Sequence, residues 1–448
     1  MQKISVAIVG AGLAGCECAL ALAHAGIAVT LFEQKPHAFS PAHHSAALSE
    51  LVCSNSLRSN EWTSGVGLLK QEMRELGSVF MALADAESVP AGKALAVDRA
   101  RFSTAMTERI TAESNITLVR QQIHSLDDPA LGNFERIVIA AGPLASESLS
   151  HSLAESIGSD HLYFYDAIAP IVAADSLNYD IIFRGSRYAE PSAEEPGDYL
   201  NCPMNKEEYQ IFYDALLAAQ KVPAREFEKE IHFEGCMPIE ALAERGHRTL
   251  TFGPLKPVGF DDPRTGRRPW ALVQLRAEDR HAAMFNLVGC QTKLTYPEQE
   301  RVFRLIPGLE KAEFVRFGSM HRNTYVNAPQ VLDEQLALRV NPRVHLAGQI
   351  TGVEGYVESA ACGLWVGMLL AAHYNGSPLS APSTESALGA LLEHLRVPVK
   401  KFQPSNVHFG LMPELPERAK KADRKAAFSQ RAREAFALWH AQMGSVRV

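Results

Sequence analysis

The chain has 448 residues, of which 46% are hydrophobic and 21% are charged, so its composition is that of a globular protein and excludes a disordered or fibrous one. The 51 acidic residues outnumber the 44 lysines and arginines, and a net charge of −7 excludes a protein that binds polyanions over its whole surface. The length predicts more than one domain. The seven cysteines form no C-x-x-C pair and no cluster with histidines, so we expect neither a disulfide framework nor a metal site.

The apolar segments are too short for a membrane helix. The longest apolar run, near 363–372, falls short of the roughly 20 residues that span a bilayer. At the N-terminus, a β-branched run begins directly after Lys3 and leaves no space for the regions of a signal peptide. The sequence therefore predicts a cytoplasmic protein without membrane contact.

The first elements along the chain alternate as in a nucleotide-binding fold. The pattern predicts, in order, a buried strand at 4–9, a glycine turn at 10–15, a helix at 16–25, a second strand at 27–33, a third at 136–142 and a fourth at 343–348. The first strand, the glycine turn, the helix and the second strand together have the length of a parallel crossover unit. Because the third and fourth strands are far apart in sequence, the nucleotide-binding layer is predicted to be split.

The chain between these strands differs in composition, which predicts an inserted domain. Residues 171–314 are richer in aromatic residues, prolines and charges, and contain stretches of alternating polarity. We therefore predict an α/β protein in which a Rossmann-like nucleotide-binding domain, at 1–170 and 315–448, carries a smaller mixed α/β domain at 171–314. A basic helix is predicted at 418–434, near the C-terminus.

The glycine turn predicts a dinucleotide site. Gly10, Gly12 and Gly15 fit the pattern G-x-G-x-x-G between a strand and a helix: Gly10 permits the tight turn, Gly12 leaves room for a pyrophosphate, and Gly15 permits close packing of helix on strand. Glu33 closes the second strand, where a carboxylate can accept hydrogen bonds from ribose hydroxyls. The residues predicted to bind the dinucleotide here are Gly10, Ala11, Gly12, Leu13, Ala14, Gly15 and Glu33.

A second glycine-rich segment favours FAD over NAD as the dinucleotide. A simple NAD dehydrogenase rarely returns to its nucleotide fold some 300 residues later, whereas FAD proteins often do so to bring a helix N-terminus to the flavin ring. Here Gly348, Gly352 and Gly355 precede an apolar helix predicted at 357–372, and we predict that they also contact the cofactor. The segment at 97–99 resembles one found near the flavin nucleotide, although a surface salt bridge explains it equally well.

Several segments together resemble one family, the folate- and FAD-dependent tRNA uracil-5 methyltransferases, which are related to the larger GidA-type tRNA-modifying flavoproteins. The matching segments are GAGLAG at 10–15, SELVCSNSLRS at 49–59, FEGCMPIE at 233–240, DPRTGRRP at 262–269 with QLR at 274–276, LAGQITGVEGYVESAACG at 346–363 and FQPSNVHFGL at 402–411. They span nearly the whole chain, and the two cysteine segments are the specific part. Cys290 departs from the family pattern, where an aromatic residue is expected.

The resemblance implies an enzyme that forms ribothymidine in the T loop of tRNA. Methylenetetrahydrofolate would donate the one-carbon unit, reduced FAD would supply electrons, and NADPH or NADH would reduce the flavin again. The resemblance implies no metal and no obligate protein partner. It also makes Cys236 the nucleophile at uracil C6, and Cys53 the group beside the flavin that removes the C5 proton or guards a flavin-bound methylene.

The chemistry explains why two cysteines are needed. Uracil C5 becomes nucleophilic only after a group adds to C6, and a thiolate is suited to that addition. The C5 proton must later leave to a base within hydrogen-bond reach. Free cysteines are usually buried and pack like small hydrophobic residues. We therefore expect such a structural role for the five other cysteines, Cys16, Cys18, Cys202, Cys290 and Cys362.

Three alternatives remain from the sequence. The same chemistry could act on a ribosomal RNA uridine, or the chain could be a flavin-containing RNA-binding factor without methyl transfer. A flavin disulfide reductase is disfavoured because the chain has no redox pair of cysteines. RNA binding would require local basic surfaces, for which we predict the loop with Arg264, Arg267 and Arg268 and the basic helix. His321 could lie near the substrate, but a structural histidine is at least as good an interpretation.

Overall fold

We describe the fold from a computed structural model of the chain, for residues 5–158, 162–187, 197–222, 237–377, 379–400, 402–416, 420 and 423–443, with only the backbone at 162–166 and 321–322. The strands are β1 Ser5–Val9, β2 Ala28–Glu33, β3 Ser56–Ser59, β4 Ser88–Val89, β5 Ala94–Val97, β6 Ile116–Arg120, β7 Arg136–Ile139, β8 Leu162–Ala167, β9 Ile171–Ala173, β10 Phe183–Gly185, β11 Tyr199–Met204, β12 Ala271–Ala277, β13 Met284–Val288, β14 Phe314–Arg316, β15 Met320–Tyr325, β16 Ala337–Leu338 and β17 Asn341–Leu346. The helices are α1 Leu13–His24, α2 Gly65–Glu75, α3 Val79–Ala86, α4 Arg99–Ala112, α5 Glu147–Ile157, α6 Lys206–Ala218, α7 Ile239–Glu244, α8 Thr249–Phe252, α9 Tyr296–Phe303, α10 Ala328–Val331, α11 Tyr356–Tyr374, α12 Ala387–His394 and α13 Arg424–Gln442.

The first sheet contains all four strands predicted for the nucleotide-binding layer. Its order is β16-β17-β7-β1-β2-β6, and all neighbours are parallel except β16 and β17. Strands β1 and β7 are almost wholly buried, as their continuous apolar runs predict for a parallel sheet covered by helices. The predicted α/β fold with a Rossmann-like layer is thereby confirmed, and helix α1 begins at Leu13, three residues before the predicted start.

Helices α1 and α11 cross at close range against this sheet, because glycines on α11 face the backbone of α1. A β-carbon placed at Gly363 would lie 2.1 Å from the carbonyl oxygen of Ala14, and one at Gly367 would lie 2.9 Å from that of Cys18. Side chains at these positions would push the helices apart. The close crossing packs the first turn of α1 directly on the middle of α11, at Gly363.

The second sheet is antiparallel, with the order β10-β11-β12-β13-β9-β14. Its hydrophobic core consists of residues between 172 and 312, whereas the core of the first sheet consists of residues at 6–153 and 325–439. The chain passes between the two cores through β8 and β15, which pair with each other antiparallel. No helix within the described ranges is long and apolar enough to cross a membrane.

Candidate functional site

The three glycines of the turn between β1 and α1 have three different structural roles. Gly10 has a φ of +102°, which favours glycine, and a β-carbon there would lie 2.6 Å from the carbonyl oxygen of Ala140. A β-carbon at Gly15 would lie 1.8 Å from the carbonyl oxygen of Gly10, so Gly15 lets the helix pack on the turn. At Gly12, in contrast, no atom lies within 4 Å of that position. The space in front of Gly12 is therefore open to a ligand.

Glu33, at the end of β2, holds the turn in place. One carboxylate oxygen accepts a hydrogen bond from the backbone N–H of Ala11 at 2.9 Å, and the other accepts one from the backbone N–H of Lys35 at 2.9 Å. The residue is 6% exposed. Each oxygen keeps lone-pair capacity for a further donor, such as a ribose hydroxyl.

The turn opens into a cleft with about 1110 Å³ of empty space, including its mouth. Its wall runs from the end of β2 across the ends of β1 and β7 to the end of β17, and such a crevice at the carboxyl ends of parallel strands is the usual ligand site of this fold. The residues predicted to bind the dinucleotide that line the cleft are Gly10, Gly12, Leu13, Ala14, Glu33 and Gly348. Ala11 and Gly15 are not among the lining residues, and they act through the contacts given above.

The segment after β17 joins the cleft through Gly348 and the first turn of α11. Gly348 has a φ of +80°, and a β-carbon there would lie 2.7 Å from the β-carbon of Ala14, so α1 and the returning chain meet at this point. Tyr356 and Ser359 of α11 also line the cleft. The N-terminal turn of a helix attracts negative charge, and here it forms one end of the cleft wall.

Gly352 and Gly355 are not among the residues that line the cleft. Gly352 has a φ of +98°, and a β-carbon there would lie 2.5 Å from the ring of Phe402. Gly355 has a φ of +110°, and a β-carbon there would lie 2.4 Å from a carboxylate oxygen of Glu358. These two glycines make room for the chain's own side chains. Their predicted contact with the cofactor stays a prediction.

Cys53 is half-buried and adjoins the cleft, although it is not among the residues that line it. Its neighbour Val52 is part of the cleft wall, as is Tyr356. The backbone N–H groups of Cys53 and Ser54 donate to the hydroxyl oxygen of Tyr356, at 2.7 and 3.2 Å. Burial raises the pKa of Tyr356 above its ordinary value, so the phenol stays protonated. Tyr356 therefore joins the Cys53 segment to α11 and to the cleft.

Three arginines from distant parts of the chain hold the segment around Cys53. Arg99 donates to the carbonyl oxygen of Leu51 at 2.6 Å, and Arg316 donates to that of Val52. Arg276 donates to the hydroxyl of Ser54 at 2.7 Å and to the amide oxygen of Asn55 at 2.9 Å. Burial lowers the pKa of Arg276 and of Arg316, and Arg99 adds to the lowering at Arg316.

One of the three guanidinium groups is neutralised by a carboxylate of the second sheet. Arg99 lies 2.7 Å from Glu278, and although burial opposes its charge, this carboxylate raises the pKa of Arg99 overall. In the part of the chain that the structure describes, no ion pair is found for Arg276 or Arg316. The Cys53 segment thus lies in a cationic environment that favours anionic or electron-rich ligands.

The remaining described cysteines are buried, as predicted. Burial raises the pKa of Cys16 and Cys290 to about 12 and that of Cys362 to about 11, and also raises those of Cys18 and Cys202. Cys290 belongs to the core of the second sheet and is not among the residues lining the cleft. The other predicted catalytic residue, Cys236, lies outside the described residues. The described chain resumes at Met237. Two residues later, Ile239 donates its backbone N–H to the carbonyl oxygen of Gln291.

The histidines do not form a metal site in the described ranges, where no group of three or more histidine, cysteine or acidic residues could hold a metal ion. His43 lines the cleft and shares a hydrogen bond with Ser40 at 2.6 Å, and burial lowers its pKa. The side chain of His321 lies outside the description.

Sequence reasoning missed Arg316, and it noted Tyr356, Arg99 and Arg276 only as parts of short matching segments. These residues come from four separate elements, and a pattern within one element cannot show that they meet at Cys53. The arrangement fits a dinucleotide, because the turn has a positive φ at Gly10, open space at Gly12 and a carboxylate at Glu33. Through Tyr356, it brings the Cys53 segment to the edge of the site that such a ligand would occupy.

Comparisons with known proteins agree with this arrangement. The family model of glucose inhibited division protein A matches residues 5–378. A protein of Nitratidesulfovibrio vulgaris named methylenetetrahydrofolate–tRNA-(uracil-5-)-methyltransferase TrmFO is 68% identical over 440 residues, which cover 98% of this chain and 92% of that protein. A protein of the same name from Geobacter sulfurreducens is 56% identical over 436 residues, covering 97% and 98%. The structure of Aquifex aeolicus GidA is similar with a TM-score of 0.69 at 14% identity, over 99% of this chain and 74% of that one, which shows the shared fold.

Proposed function

Because the chain belongs to the glucose inhibited division protein A family, and within it to the group of proteins named methylenetetrahydrofolate–tRNA-(uracil-5-)-methyltransferases, we propose that it methylates tRNA at C5 of a uridine. The one-carbon donor is methylenetetrahydrofolate, the reductant is NADPH or NADH, and the product is ribothymidine in the T loop. The observation that carries the proposal is the position of Cys53, which Tyr356 holds at the edge of the dinucleotide cleft.

FAD is the dinucleotide that we propose for the cleft. Gly12 leaves space for its pyrophosphate, Glu33 can accept hydrogen bonds from its ribose, and Gly348 with the first turn of α11 borders the far end. When bound, FAD supplies the electrons that reduce the transferred one-carbon unit to a methyl group. The residues of the chain bind and orient the reactants and move the protons.

The two cysteines divide the remaining steps. The thiolate of Cys236 forms a bond to C6 of the uracil, and the electron pair of the C5=C6 bond makes C5 the nucleophile that attacks the one-carbon unit. One of the two bonds between that carbon and the folate nitrogens breaks in this attack, with its electron pair staying on nitrogen, and the second breaks when the unit is reduced to methyl. Cys53 then takes the proton from C5. The electron pair of that C–H bond restores the C5=C6 double bond, and the sulfur of Cys236 leaves C6 as a thiolate.

We also propose that the two parts of the chain have separate tasks. Residues 1–170 and 315–448 would hold the cofactor, and the inserted domain at 171–314 would bring the RNA and Cys236 to it. The contacts of Arg276 with Ser54 and Asn55 support this, since they join β12 of the second sheet to the Cys53 segment. We place the reaction in the cytoplasm and propose that it needs neither a metal nor a second protein.

One experiment tests this function. Purified protein is incubated with unmodified tRNA, NADPH and methylenetetrahydrofolate labelled at its one-carbon unit, in the presence of EDTA, and the RNA is digested and analysed by mass spectrometry. We expect labelled 5-methyluridine from the T-loop position. Ribosomal RNA offered in parallel distinguishes the alternative substrate, and RNA binding without any labelled product would identify a binding factor instead of an enzyme.

The loop predicted to bind RNA presents two free arginines. Arg264 is paired with Asp262 at 2.8 Å within the turn. Arg267 and Arg268 are exposed, and no ion pair is found for either within the described ranges. These two residues are the better candidates for phosphate contacts.

The basic helix is less uniformly basic on its surface than its sequence predicts. In α13, Arg424, Lys425 and Arg433 are exposed, but Arg431 donates to the carbonyl oxygens of Pro413 and Glu414 and has a structural role. Arg418 and Lys421 lie outside the described residues.

Charge reversal tests both surfaces. We expect the double variants R267E/R268E and R424E/K425E to weaken tRNA binding. For each phosphate contact that is lost, binding releases about one counterion fewer from the RNA. The slope of log affinity against log salt should fall by about one unit for each contact removed. R339E, at an exposed arginine outside both surfaces, is the control. Unchanged affinity and slope in both double variants would show that the RNA binds elsewhere.

A further inference from the structure

Three aromatic rings form a parallel stack at the edge of the second sheet. Phe317 lies between Tyr296 and Phe314, with ring centroids 4.7 and 5.3 Å apart and interplanar angles of 14° and 12°. The guanidinium carbon of Arg304 lies over the ring of Phe314, 5.9 Å from its centroid. Tyr296, at the other end of the stack, is 56% exposed. The stack of three rings therefore ends in an accessible aromatic ring, that of Tyr296.

A buried glutamine fixes this stack. The side chain of Gln299, on α9, donates to the carbonyl oxygen of Gly318 at 2.9 Å and accepts from its backbone N–H at 2.7 Å. Gln299 is wholly buried. This double hydrogen bond brings Phe317, which precedes Gly318, next to Tyr296 at the start of α9, so the platform is formed before any ligand binds.

The stack is continuous with the Cys53 site. Phe314 and Arg316 belong to the same strand, β14, and Phe317 follows it directly. Arg316 donates to the carbonyl oxygen of Val52, beside Cys53. Phe314 and Phe317 therefore flank the arginine that holds the Cys53 segment.

We propose that Tyr296, Phe317 and Phe314 form a stacking platform for a base of the RNA substrate next to the target uridine, an inference that rests on the proposed function. A uracil that reacts at C5 and C6 must leave its stack, which exposes the face of a neighbouring base. The open ring of Tyr296 offers a replacement for that lost stacking. Glu300 forms an ion pair with Arg304 at 3.3 Å and balances its charge. The stack therefore contributes ring stacking rather than net positive charge.

The test uses the holoenzyme and measures both tRNA affinity and its salt dependence. We expect Tyr296→Leu to raise the Kd for tRNA by about 5- to 100-fold, the effect of one lost base stack, with an unchanged salt slope. Tyr296→Phe keeps the ring and should bind within about twofold of the original chain. Phe252→Leu is the matched control, since Phe252 is 67% exposed in the same part of the chain and has Arg248 over its ring, but stacks on no other ring among the residues that the structure describes.

An RNA variant identifies the base. With abasic nucleotides placed one at a time around the target uridine, one position should weaken binding to the original protein but not to Tyr296→Leu. If tRNA is bound and methylated but Tyr296→Leu binds it normally, or no more weakly than Phe252→Leu does, the platform is refuted while the proposed function stands. A smaller salt slope would mean a phosphate contact, and a loss of oligomeric mass with normal RNA affinity would mean contact with a second copy; either result overturns the platform. Absence of both tRNA binding and methylation would overturn the function and the platform together.

Discussion

Replacing Cys236 by serine is expected to abolish methylation while leaving the flavin bound and reducible by NADPH. A serine hydroxyl is a far weaker nucleophile than a thiolate near neutral pH, so no bond to C6 forms and C5 stays unreactive. We expect the rate of methyl transfer to fall by more than about 10⁴-fold. Product is measured by mass spectrometry of the RNA, and flavin reduction by its absorbance.

The Cys53→Ala variant is expected to fail at a later step. Without the base, C5 keeps its proton and the sulfur of Cys236 cannot leave, so RNA should accumulate as a covalent adduct that survives denaturing electrophoresis. Methyl transfer should fall by about 10²- to 10⁴-fold, the usual effect of a general base. Peptide mapping should place the adduct on Cys236.

A buried cysteine provides the control for both variants. Cys290→Ala removes a thiol from the core of the second sheet and should keep methylation, because that thiol is wholly buried and does not line the cleft. An adduct on Cys53 in the Cys236→Ser protein would reverse the two roles. Normal methylation by either catalytic variant would exclude that cysteine from the mechanism.

The nucleotide-binding half could be predicted from the sequence because its signals are local. The strand, glycine turn, helix and second strand occupy about thirty consecutive residues, and strands β1 and β7 of the parallel sheet read as continuous apolar runs, whereas the edge strand β6 has only one buried residue and is not predicted. The space in front of Gly12 and the carboxylate of Glu33 follow from the same pattern. What the pattern does not show is that Glu33 also holds the turn through the N–H of Ala11.

The surroundings of Cys53 could not be predicted, because they depend on contacts between distant elements. Arg316 lies in a short edge strand without any motif, yet it reaches the carbonyl oxygen next to Cys53. The sequence also does not distinguish a glycine that faces a ligand from one that makes room for a side chain. Gly352 illustrates this, since its missing β-carbon is required by the ring of Phe402.

Substitutions at Gly12 and Gly15 are expected to act in two different ways, by filling the space for the flavin at Gly12 and by disturbing the packing of the turn at Gly15. Gly12 has a φ of −78° and open space at its β-position, so Gly12→Val should fold normally. Its side chain would occupy the space that a pyrophosphate needs, and we expect flavin affinity to fall at least about tenfold, equivalent to about 1.4 kcal/mol. Flavin absorbance of the purified protein measures how much flavin is bound, and thermal unfolding measures whether the variant folds normally.

Gly12→Ala and Gly15→Ala form a matched pair of variants. They distinguish a β-carbon that fills the space for the ligand from one that disturbs the packing of the turn. A β-carbon at Gly15 would lie 1.8 Å from the backbone oxygen of Gly10, which cannot move without shifting the turn, so Gly15→Ala should lower the free energy of unfolding by about 3 kcal/mol even without flavin. Gly12→Ala should unfold like the original protein when flavin is absent and should bind flavin more weakly. If Gly12→Val kept full flavin occupancy, the pyrophosphate would not lie at Gly12, and equal stability of Gly15→Ala and Gly12→Ala would contradict the close packing at Gly15.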